Sequence, residues 1–83
     1  MGKHDKTLEA VFHEPTKSNI PWRDVESLLA SLGADISEGN GSRVRVHLNG
    51  VRAVFHRPHP QNEAGKCMVE SVRRFLINAG VSP

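Results

Sequence analysis

Eighty-three residues, 37% of them hydrophobic and 24% charged, make one small domain over residues 1–83 and exclude both wholesale disorder and a chain of several cores. No stretch approaches the roughly 20 apolar residues of a membrane-spanning helix, and the start Met1-Gly2-Lys3-His4-Asp5-Lys6 carries no apolar signal region, which with the lone Cys67 predicts a cytoplasmic protein without a membrane partner. The net charge of +2 is small but uneven: residues 1–40 hold seven acids against four Lys or Arg, whereas residues 41–60 hold Arg43, Arg45, Arg52 and Arg57, no acid, and His47, His56 and His59.

In chain order, residues 7–13 place Leu8, Val11 and Phe12 at helical spacing until Pro15 ends the pattern, which predicts a short first helix. After a polar loop over residues 16–19, Ile20 is positioned to staple the entry of a second helix that starts at Pro21 or Trp22. Its stripe is Trp22, Val25, Leu28, Leu29 and Leu32, its first turns carry Asp24 and Glu26 where the helix dipole favours acids, and Gly33 caps its end. Trp22 belongs to the core on this reading.

From Ala34 the period changes from 3.6 to 2. Ile36 marks a short strand, Gly39-Asn40-Gly41 a turn, and Val44, Val46 and Leu48 alternate with Arg43, Arg45 and His47. Asn49-Gly50 is a two-residue hairpin signal, because both positions of a type I′ turn need positive φ. Counting outward pairs Leu48 with Val51, His47 with Arg52, Val46 with Ala53, Arg45 with Val54, Val44 with Phe55 and Arg43 with His56. One face then carries Val44, Val46, Leu48, Val51, Ala53 and Phe55; the other carries Arg43, Arg45, His47, Arg52 and His56, with Val54 its only apolar member. Residues 63–79 read as a final helix with Met68, Val69, Val72, Phe75, Leu76 and Ala79 inward, Cys67 as a small packing residue beside them, and Gly80 as the cap. The order is α-α-β-β-β-α.

Guanidinium is planar and easily desolvated, so an arginine block interleaved with histidine suits a phosphodiester ligand. RNA cleavage without a metal requires a base near the 2′-OH, an acid near the leaving 5′-oxygen and cations at the non-bridging oxygens. His56, His47 and His59 are candidates for acid or base; Arg43 and Arg45 suit the phosphate. One cysteine and no HxxxH-type spacing predict no metal site, and the absence of Walker, GxGxxG and GxSxG patterns predicts no cofactor.

Leu32-Gly33, Glu38-Gly39-Asn40-Gly41-Ser42, the hairpin, the His56-Arg57-Pro58-His59-Pro60 run and Leu76-Ile77-Asn78-Ala79-Gly80-Val81 together resemble the HicA family of bacterial toxins over about residues 22–82, leaving residues 1–19 as an N-terminal extension. The resemblance implies an α+β, double-stranded-RNA-binding-like fold, a three-stranded antiparallel sheet with helices on one face. It also implies an mRNA interferase, a metal-independent endoribonuclease toxin, neutralised by a HicB-like antitoxin. The family motif Gly-Ser-His, whose histidine is catalytic, is met here by Gly41-Ser42, with Arg43 in third place. His56, opposite Arg43, is then the expected base and Arg43 its catalytic partner, with Ser42, Arg43, Arg45, His47, Arg52, Arg57 and His59 as RNA contacts. A non-catalytic RNA-binding module and an antitoxin-binding module stay open beside this reading because of Arg43.

Overall fold

A computed structural model describes residues 2–58 and 62–83. Along the chain run α1 (Lys3–Val11), β1 (Ile20–Pro21), α2 (Trp22–Ser31), β2 (Asp35–Glu38), β3 (Arg43–Leu48), β4 (Val51–His56), β5 (Glu63–Ala64) and α3 (Lys66–Asn78). The chain is α+β: β2, β3 and β4 form an antiparallel sheet in that order, and the helices cover one of its faces.

The hairpin register is the one that Asn49-Gly50 dictates, from Leu48↔Val51 to Arg43↔His56. Both turn residues have positive φ, 51° at Asn49 and 82° at Gly50, as a type I′ turn needs for its twist to match that of the strands. Asn49 Nδ2 also donates to Ala79 O at 2.8 Å, which pins the turn to the end of α3. Along β3 the side chains alternate, with Val44, Val46 and Leu48 buried and Arg43, Arg45 and His47 exposed. On β4 Phe55 is buried, while Val51 and Ala53, expected inside, are only half-buried. They lie on an edge strand, where one flank has no neighbouring strand to cover it.

The inner face meets the stripes of α2 and α3. Phe55 is the hinge of this packing, edge-on to Trp22 at 6.1 Å and to Phe75 at 5.9 Å between ring centroids, an arrangement in which the positive edge of one ring faces the negative face of the next. Both helices close on hydrogen bonds of Schellman type, Ala34 N to Leu29 O and Gly33 N to Ala30 O for α2, Val81 N to Leu76 O and Gly80 N to Ile77 O for α3.

Three sequence expectations are corrected. The first helix starts at Lys3 rather than Thr7 and ends at Val11; the Asp5 carboxylate accepts from Gly2 N at 3.3 Å, a capping contact at a less familiar first residue. Glu63 and Ala64 are a strand, not the first turn of α3: they pair antiparallel with Pro21 and Ile20, burying Ile20 and Ala64. Trp22 N donates to Asn62 O at 2.7 Å beside this pair. α3 therefore begins after the extended Gly65, and Cys67 is exposed, off the stripe of Val69, Val72, Phe75 and Leu76.

α1 and the turn after it are tied to α3 by one side chain. Arg73 Nε donates to Val11 O at 2.9 Å, and its terminal nitrogens reach His13 O, Thr16 Oγ1 and Glu14 Oε2 at 3.0 to 3.2 Å. Lys3 pairs with Asp24 of α2 at 3.0 Å.

Candidate nucleic-acid interface

The face of the sheet turned away from the helices is a grid, because three strands of alternating residues are in register. β2 pairs with β3 as Asp35↔His47 and Ser37↔Arg45, so its outward residues continue the rows that β3 and β4 begin. The first row is Asp35, His47, Arg52; the second Ser37, Arg45, Val54; the third Arg43 and His56. Beyond the end of β2, Gly39 N donates to Arg43 O at 2.9 Å. A Cβ at Gly39 would stand 3.0 Å from Arg43 Cβ, a tight contact that glycine avoids where the chain passes Arg43.

Neighbours within a row have Cβ atoms about 5 Å apart, and successive rows follow at two residues, about 7 Å. All of these residues are exposed. Among the described residues none of Arg43, Arg45, His47, Arg52 and His56 is in an ion pair. Three guanidinium groups and two imidazoles are thus free for an anionic ligand. A shallow depression of about 540 Å³ opens over the first two rows.

The structure brings Arg43 and His56 side by side, as the register requires, and separates His56 from His47 by two rows, about 14 Å. These two histidines cannot act on one phosphate. Ser42 stands exposed just before β3, its carbonyl accepting from Arg57 N at 2.9 Å. His59 lies outside the described residues.

Arg57 has other partners. Its guanidinium grips the Glu38 carboxylate with both terminal nitrogens, Nη1 to Oε1 at 2.7 Å, and reaches Glu26 Oε2 of α2 at 3.5 Å. The hydrogen bond from Arg57 holds the Glu38 carboxyl below its usual range, and the same bond raises Arg57 further above its own. This cluster staples the ends of β2 and β4 to α2, immediately beside His56. The charge of Arg57 is matched within the chain by two carboxylates.

Asp35 and Ser37 escaped the sequence reading, although the alternation around Ile36 already places both outward. The arginine block has no acid in its own segment, yet its neighbour strand brings one to the same face. Among the described residues no three His, Cys, Asp or Glu side chains gather into a group fit to hold a metal ion, and no helix is long and apolar enough to cross a membrane. Residues 22–81 match the family model described as HicA toxin of bacterial toxin-antitoxin. No curated protein and no solved structure matches the chain.

Proposed function

Since this match spans well over half of the chain, the chain belongs to the HicA family of bacterial toxin–antitoxin toxins, and from that premise we propose that its open sheet face binds RNA through the phosphates and cleaves it at the Arg43–His56 pair. The supporting observation is that pair itself, cross-strand neighbours on an exposed face with no competing partner among the described residues. His56 accepts the proton of a ribose 2′-OH, the 2′-oxygen attacks the adjacent phosphorus, and Arg43 stabilises the charge that grows on the non-bridging oxygens. The departing 5′-oxygen takes its proton from water, His47 being too far away. The cations are supplied by arginine, so cleavage persists in a chelator.

Arg43 at the position of the family's catalytic histidine supports a second reading, an RNA-binding module without cleavage. In either case a HicB-like antitoxin has to cover the same cations, and an acidic partner suits that task. The test is RNA cleavage and growth arrest on induced expression of the wild type, His56→Ala and Arg43→His. His56→Ala is expected to lose about 10²-fold or more in rate with RNA binding kept. Full activity in His56→Ala removes His56 as the base, and activity confined to Arg43→His makes the natural chain a degenerate toxin.

A further inference from the structure

The end of the open face nearest the hairpin turn carries chemistry that the Arg43–His56 pair does not use. Asp35, His47 and Arg52 form a single row across three strands, and with Ser37, Arg45 and Val54 they line the depression of about 540 Å³. That volume is in the range of small-ligand sites. The row is polar from end to end, with a carboxylate on β2, an imidazole in the middle and a guanidinium on β4, spanning about 10 Å at the usual distance between strands. Asp35 and Arg52 are in no ion pair among the described residues, although the register brings both beside His47. Val54, 54% exposed, adds an apolar wall among the cations.

A carboxylate on a surface that binds a polyanion repels it unless it has a donor to accept from. In a strand of nucleic acid the sugar donor near each phosphate is the ribose 2′-OH, the group by which a protein separates RNA from DNA. A nucleotide laid across this row, with its phosphate at Arg52 and Arg45, can turn its 2′-OH to Asp35. The opposite orientation sets phosphate against carboxylate.

We propose that the Asp35–His47–Arg52 row is a ribonucleotide subsite, in which Asp35 accepts a hydrogen bond from a 2′-OH while Arg52 and Arg45 hold the adjoining phosphate. This rests on the reading that the face binds RNA, and it locates the discrimination against DNA two rows and two strands away from His56, about 17 Å. Deoxyribose leaves Asp35 facing an anionic strand with nothing to accept, so Asp35 acts by attraction toward one ligand and repulsion toward the other.

The experiment measures binding of a short single-stranded RNA and of a DNA of the same sequence, uracil included, in a His56→Ala background at fixed salt. The parent is expected to favour RNA by about tenfold, the worth of one hydrogen bond to a charged group. Asp35→Ala and Asp35→Asn are expected to reduce that ratio to below about threefold, with DNA bound more tightly than by the parent. Arg52→Ala is expected to weaken RNA and DNA alike and to keep the ratio. A ratio unchanged in both Asp35 variants overturns this inference and leaves RNA binding standing. Failure of the parent to bind RNA overturns both.

Discussion

Arg57 and Arg43 come from the same arginine-rich segment and have opposite fates. Arg57 leaves β4 toward the helices and is neutralised by Glu38 and Glu26, whereas Arg43 keeps its charge in the open. Because the ion pair lowers the Glu38 pKa in the fold, it stabilises the chain at pH values above the ordinary carboxylate value of 4.5, and the contribution fades as pH falls below that value and Glu38 takes up a proton. Glu38→Gln is therefore expected to be less stable than wild type at pH 7, with the gap shrinking as pH falls below 4.5; urea melts at pH 7 and pH 3 check this, and a gap of the same size at both rejects it. Arg57's partners were not legible in the sequence, because nothing local links residues 26, 38 and 57. The cationic rows were legible, since strict alternation around a two-residue turn fixes every neighbour.

At the scale of elements, β3 serves two purposes with alternate residues. Val46 lies in the core at 2% exposure, between Ile36 and Ala53 across the sheet. Val46→Asp places an unpaired charge there and is expected to cost about 3–5 kcal/mol; a thermal melt no lower than wild type contradicts the register. The tie between α1 and α3 makes a separate prediction. Arg73→Ala removes the donors to Val11 O and His13 O together with the contacts to Glu14 and Thr16, an expected loss of about 2 kcal/mol. Hydrogen exchange then shows α1 amides losing protection while those of β3 keep theirs; equal loss in both elements means that α1 is not held by this arginine. The long helices and the hairpin were readable because their signals repeat within a short window. The β1–β5 pair was not, because two strands of two residues each, some 40 positions apart, leave no periodicity to detect and are fixed by long-range pairing and the burial of Ile20 and Ala64.

For the whole molecule, the consequence of three free arginines on one face is electrostatic. With about three phosphates contacted on single-stranded RNA, log K against log[salt] is expected to fall with a slope of about −2, measurable by titration between 50 and 200 mM salt. A flat response, or no RNA binding at low salt, favours the antitoxin-binding reading, since RNA held through its phosphates has to release counterions. The alternation that separates core from open face also sets how such a protein can change over evolutionary time. Positions 43, 45, 47, 52, 54 and 56 are exposed, so they form an alphabet that can be rewritten while positions 44, 46, 48 and 55 hold the grammar constant. Ligand preference and foldability are inherited on separate letters of the same two strands, and new targets become reachable through substitutions that a stability screen does not see.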